Sequence, residues 1–360
     1  CTGLTDLSFP EGMTEIGNGA FYGCGRLETI SFPSTMKSID WSAFCRQCEY
    51  EWEGCTCDSI KRVEVKDIAT WFNSNRIAGN HNLVVARNAD LYVDGKLLTE
   101  IVLPDTMSRI RPALFYGCKK LRSVVFPKNL KVIGSSAFSE CTGIESLNFP
   151  QELDSIGASA FALCESLVNV NFPDRLKSIG GSVFNGCKSL AAVAFPEGLE
   201  KIEYGAFSGC SSLTSLVFPE GLTEIGGRAF LGCNNLDSLS FPASMKTINW
   251  GAFCQNSAWN TDLDKTCNHI RYVNVKDLLT WVNSEREYKD GAYDHHLRVP
   301  HAQLYLDGTL LTEAMIPEGI EEIKPYTFYG LDSLTLVKLP TSINKIGEYA
   351  FNVQGVEIEL

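Results

Sequence analysis

The chain has 360 residues, 44% hydrophobic and 21% charged, the composition of an ordinary folded protein. Its 43 acidic residues against 31 basic ones leave a net charge of -12, which argues against nucleic acid or an anionic membrane as the main partner. It has no apolar run of about 18 residues, so no transmembrane helix is expected.

In chain order, residues 4–20 and 27–43 form two similar blocks, marked by Phe9-Pro10 and Phe32-Pro33. The pattern stops after Phe44. It returns at Pro104 and recurs at Pro127, Pro150, Pro173, Pro196, Pro219 and Pro242. It stops again after Phe253 and returns at Pro317 and Pro340. A fixed period of this length is read before anything else, because it dictates a stacked-repeat architecture. The expected fold class is a solenoid, mostly β with short turns, built on a 23-residue repeat. Regular rungs cover 1–44, 101–253 and 314–351, the interruptions are 45–100 and 254–313, and all belong to one array over 1–360. The opening Cys1-Thr2-Gly3-Leu4 is in register with Cys141-Thr142-Gly143-Ile144. The repeat is thus entered partway, and the chain is expected to be a piece of a longer protein. A lipid-modified Cys1 is the rival reading, which this register disfavours.

One block shows how a rung is built. Its apolar positions are Cys210, Leu213, Leu216, Phe218, Leu222, Ile225, Ala229 and Phe230. Leu216 and Phe218 alternate, which predicts a short strand over 214–218. Pro219 has no N–H to continue the ladder and ends it. Leu222 and Ile225 predict a second short extended piece, and residues 226–232 turn the chain back. Such a block buries too little alone, so each must stack on the next. Stacking places like residues in columns about 4.8 Å apart.

The interruptions are copies of each other. Ile60-Lys-Arg-Val-Glu-Val-Lys-Asp-Ile-Ala-Thr-Trp71 matches Ile270-Arg-Tyr-Val-Asn-Val-Lys-Asp-Leu-Leu-Thr-Trp281, and Leu91-Tyr-Val-Asp-Gly95 matches Leu304-Tyr-Leu-Asp-Gly308. Each copy predicts a rung strand and a short helix capped by Asp67 or Asp277. A loop follows, then a hairpin whose Asp-Gly pair suits a type I′ turn. Trp71 and Trp281 are expected to plug the core.

The pattern Cys-x-x-Leu-x-x-Leu-x-Phe-Pro-x-x-Leu-x-x-Ile-Gly-x-x-Ala-Phe resembles the BspA-like leucine-rich-repeat family over nearly the whole chain. That resemblance implies a secreted or cell-surface bacterial protein tied to adhesion. It implies a non-catalytic module recognising a host matrix protein, a cell-surface protein or a glycan. The alternative is a stiff spacer presenting another domain. A metal-dependent enzyme is the third and weakest reading.

Cysteine divides into two sets. Cys1, Cys24, Cys118, Cys141, Cys164, Cys187, Cys210 and Cys233 share one slot per repeat, filled by Leu331 in a later rung, and are expected to be buried thiols. Cys45, Cys48, Cys55, Cys57, Cys254 and Cys267 lie in the interruptions. Aligning the copies matches Cys45 with Cys254 and Cys57 with Cys267, and the economical reading is Cys45–Cys57 and Cys254–Cys267 disulfides, with Cys48–Cys55 nested in the first loop, which fits an oxidising compartment. The rival is a four-thiol zinc site, which the second copy lacks the ligands to repeat. No metal or cofactor is therefore assigned.

Catalytic signatures are missing from the sequence: it contains no Gly-x-Ser-x-Gly, Walker loop or His-Glu-x-x-His. The calcium-like start at Asn260-x-Asp262-x-Asp264 fails at Lys265 and Arg271, where a Gly and a Glu belong. His295, His296 and His301 read as solvated loop residues. The outward positions of the rung strands are a candidate face for a protein or glycan partner, the alternative being that short side chains merely suit a tightly curved inner sheet. Those positions are Thr29/Ser31, Ser123/Val125, Ser146/Asn148, Asn169/Asn171, Ala192/Ala194, Ser215/Val217 and Ser238/Ser240, all short and uncharged. Charge is expected on the second strand row instead, at Lys131, Asp154, Lys177, Glu200, Lys201 and Glu224. Within these, Ser146, Asn148, Asn169, Asn171, Ser215 and Val217 are the partner-binding candidates. Tyr293, His295 and His296 join them from the loop over 283–301, which differs most from its counterpart over 73–88.

Overall fold

The computed structural model describes residues 3–44, 59–73, 77–78, 83–84, 89–245, 248–253, 269–284, 287–290, 293–296 and 301–360. It divides into two compact units, Cys1–Leu167 and Val168–Leu360. Both are stacks of short parallel strands. In the first unit Asp6–Ser8 pairs with Thr29–Phe32, and Glu100–Val102 with Ser123–Val125. A second row runs through Arg109–Ile110, Val132–Ile133 and Ser155–Ile156. In the second unit Ser215–Val217 pairs with Ser238–Phe241, and Ser178–Ile179 with Lys201–Ile202 and Glu224–Ile225. Partners between regular rungs stand one repeat apart, as in Ser215↔Ser238 and Ile202↔Ile225.

Side-chain alternation explains which face is buried. Leu216 and Leu239 are enclosed between exposed or half-exposed neighbours on either side. The last ladder bond of a rung comes from the Phe before the Pro: Phe9 donates to Ser31 and Phe218 to Ser240, at 3.1 and 3.0 Å. The proline that follows has no N–H to give.

The turn that closes each rung carries the inner aromatic column. Phe115, Phe138 and Phe161 stack at 5.2 Å in the first unit. Phe184, Phe207, Phe230 and Phe253 stack at 5.3 Å in the second. Backbone bonds bind the same turns: Phe115 N donates to Ala137 O, Phe207 N to Ala229 O and Phe328 N to Ala350 O, at 2.7–2.8 Å. The Ile-Gly step needs its glycine, since a Cβ on Gly157 would stand 2.5 Å from Ser135 N and one on Gly226 2.6 Å from Tyr204 N. Cys24, Cys118, Cys141, Cys164, Cys187, Cys210 and Cys233 are buried free thiols, and Leu331 is buried in the same slot.

Each interruption contributes more strand than the sequence reading anticipates. In the first unit Arg62–Val65 pairs in parallel with Thr29–Phe32, and Asp90–Val93 then pairs in parallel with Arg62–Val65. Lys96–Leu97 folds back antiparallel and ends a five-stranded sheet. The second unit repeats this with Tyr272–Val275, Gln303–Leu306 and Thr309–Leu310. The turns are of the expected kind, with positive φ at Asp94 and Gly95 (48° and 76°) and at Asp307 and Gly308 (46° and 80°). The hairpin's first strand joins the parallel sheet with Leu91 and Leu304 buried beside their register partners Val63 and Val273.

Two short helices, α1 (Ile68–Asn73) and α2 (Leu278–Val282), follow the rung strands. Asp67 and Asp277 cap them, each accepting from the N–H of a threonine three residues on at 2.8 Å. Trp71 and Trp281 are buried as expected, edge-on to Trp41 and Trp250 at 6.1 and 5.8 Å.

Candidate binding surface

The outward row exists on the rung strands. Ser146 and Asn148 are exposed in the first unit, and Asn169, Asn171, Ser215 and Val217 in the second. Val217 is 71% exposed, so that face of its strand is uncovered. Tyr293, His295 and His296 fall on the strand Tyr293–His296, which pairs antiparallel with Glu287–Asp290: His296 stands opposite Glu287 and His295 opposite Tyr288. The counterpart hairpin in the first unit, Ile77–Ala78 with Leu83–Val84, is shorter. Their side chains, and all six interruption cysteines (Cys45, Cys48, Cys55, Cys57, Cys254 and Cys267), lie outside the described residues.

One expectation needs correction: charge is not confined to the second row. Asp6, Arg62, Glu64, Asp90 and Glu100 take outward positions in the first unit, as do Glu313, Lys338, Glu357 and Glu359 in the second. Several of these are balanced in place. Arg62 pairs with Glu64 at 2.9 Å and Lys338 with Glu359 at 2.8 Å. Second-row charges pair between rungs too, as Lys177–Glu200 at 3.0 Å and Lys201–Glu224 at 3.1 Å. All of these are solvent-exposed or half-exposed pairs of small energetic weight.

The sequence reading stopped the outward row at the regular rungs and so missed the interruption strands. In the second unit these present Tyr272 and Asn274, then Gln303 and Tyr305, with Tyr272 beside Gln303 and Asn274 beside Tyr305. In the first unit the same places hold Arg62, Glu64, Asp90 and Tyr92. The period-two alternation in Tyr-Val-Asn-Val and Gln-Leu-Tyr-Leu was the available signal.

No catalytic grouping emerges among the described residues. Among the described residues, no cluster of His, Cys, Asp or Glu is arranged to hold a metal ion. His301 Nδ1 sits 3.0 Å from Asp332 on the open surface. Burial holds the half-buried His269 imidazole below its usual range, against the opposing pull of Asp237. Burial also pushes Cys233 up to about 12 and Cys210 well above the ordinary thiol value, so these two thiols are chemically quiet. Among the described residues no helix is long and apolar enough to cross a membrane.

These stacked rungs with their Phe, Ala and Cys columns define a leucine-rich-repeat protein. The chain belongs to the BspA type leucine rich repeat family, whose pattern matches residues 1–72, 90–214, 154–274 and 303–358. That match points to an interaction module and to no enzyme family. Similar solved structures include a leucine-rich repeat protein from Bacteroides ovatus, 21% identical, covering 99% of this chain and 91% of that one at a TM-score of 0.48. A leucine rich cell surface protein from Faecalibacterium prausnitzii is 21% identical over 98% and 87%, at 0.33. The pneumococcal vaccine antigen PcpA is 14% identical over 100% and 89%, at 0.39. No curated protein sequence matches the chain.

Proposed function

We propose that this chain is a non-catalytic recognition module of a bacterial surface or secreted protein, acting in adhesion through a host matrix protein, a host cell-surface protein or a glycan. In this reading residues 1–360 act as one module. The observation that carries it is the exposed, short side chains on the rung strands of each unit, Ser146 and Asn148 in the first and Asn169, Asn171, Ser215 and Val217 in the second. Solenoids use such sheet surfaces for partners. The longer hairpin bearing Tyr293, His295 and His296 supplies selectivity, because variable segments on a fixed scaffold are where partners are distinguished.

The purified chain is screened against immobilised matrix proteins, cultured host cells and a glycan array. Binding to one class supports the reading; none across all three favours the spacer. Replacing residues 287–301 by the corresponding segment of the first interruption is expected to change the partner profile and leave the melting curve in place. An unchanged profile removes the hairpin from the site.

A further inference from the structure

Resting on that recognition reading, we propose that the outer face of the second unit's five-stranded sheet, over Tyr272, Asn274, Gln303 and Tyr305, is a subsite for a neutral oligosaccharide. A sugar presents an apolar C–H face and a rim of hydroxyls. It is met by an aromatic ring for the face and planar amides for the rim. The interruption strands bring both together. Tyr272 and Gln303 are register partners, as are Asn274 and Tyr305, so the two rings lie on one diagonal about 8 Å apart at their Cα atoms.

The polar groups are set for this task. Tyr305 OH donates to Gln303 Oε1 at 3.1 Å, which orients the amide and leaves its NH2 for a ligand. Asn274 is the positioning residue. Its Oδ1 accepts from Gly308 N at 2.8 Å and its Nδ2 donates to Ser240 Oγ at 3.0 Å, tying the hairpin turn to the neighbouring strand. Ser215, Val217, Ser238 and Ser240 extend the same uncharged face. Nearby charges are neutralised within the protein, Arg271 on Asp237 at 2.6 Å and Lys276 on Asp307 at 2.9 Å.

The first unit supplies an internal contrast. There Arg62 stands where the second unit has Tyr272, and its guanidinium lies 3.5 Å over the Tyr92 ring centroid while bonded to Glu64. That ring face is already occupied, and Glu64 and Asp90 add charge. Tyr272 is 41% exposed, and among the described residues nothing stacks on it or on Tyr305. A charged ligand finds no counter-ion on this face, whereas a neutral sugar needs none.

The full chain is titrated against mannan, a β-1,3-glucan and a galactan as neutral probes, heparin and hyaluronan as acidic ones, and immobilised collagen and fibronectin. Tyr272→Ala and Gln303→Ala are each expected to weaken binding to a neutral polysaccharide at least tenfold. Tyr272→Phe should stay within threefold, and Tyr92→Ala should change nothing. These side chains face solvent, and unaltered melting curves confirm that the fold survives. Binding to acidic glycans alone overturns the proposal. So does neutral-glycan binding indifferent to Tyr272→Ala and Gln303→Ala. Matrix-protein binding with no glycan bound overturns the subsite and spares the recognition reading; no binding to any probe defeats both.

Discussion

Leu114 and Thr327 occupy the place where a regular rung offers Ala137 or Ala229, the carbonyl that accepts from the preceding rung's Phe N–H. In the rungs that follow an interruption the donor is different. Trp71 Nε1 donates to Leu114 O and Trp281 Nε1 to Thr327 O, both at 2.9 Å and buried. The tryptophans therefore fill volume and also supply the N–H that the missing repeat would have given. A buried carbonyl left without its donor costs about 1–3 kcal/mol. Trp281→Phe is expected to destabilise by at least that much in denaturant unfolding, and far more than Leu279→Ala, whose side chain is partly exposed. Gly157→Ala drives a methyl into Ser135 N and should cost about 1–3 kcal/mol as overpacking. A value near zero would show that the rungs can spread. The Cys column makes a third test. Cys210 and Cys233, buried and held protonated, should resist alkylation at pH 8 in the native chain and react on unfolding. In the unfolded chain, eight reactive thiols fit disulfides among the interruption cysteines; fourteen after chelation would contradict them.

At the scale of the element, the interruptions show what a sequence does and does not disclose. The Asp caps, the Asp-Gly turns and the buried Trp residues were legible, since each depends on local chemistry. The parallel pairing of Asp90–Val93 and Gln303–Leu306 onto the rung strands was not. It is a long-range contact across a loop of variable length, and neither segment carries the Phe-Pro that marks a rung. The binding candidates suffered for the same reason: Tyr272 and Gln303 become neighbours only through that pairing. Helix α2 has few residues, so its cap carries much of its stability. Asp277→Ala removes the acceptor for Thr280 N and should cost about 1 kcal/mol, visible as faster amide exchange over Leu278–Val282. Unaltered exchange would mean that packing of Trp281 alone holds the helix.

For the whole molecule, the period was the decisive signal. It predicted the rung strands, their one-repeat register and the Cys slot, because in a stack each residue's environment is set by its copy in the next rung. What the period could not say is which face is charged. Outward positions are free of packing constraint, so Arg62 and Tyr272 can replace one another at equivalent sites without disturbing the core. The stack repeats its interior and varies its exterior.

Parallel sheets are prone to recruiting strands from other molecules along any open border. Here the five-stranded sheets run out in Lys96–Leu97 and Thr309–Leu310, segments of two residues laid in the opposite direction. An incoming chain finds too little backbone there to template its own growth, and the direction it would need to copy has been reversed. At that border the hairpins act as stops against fibre formation.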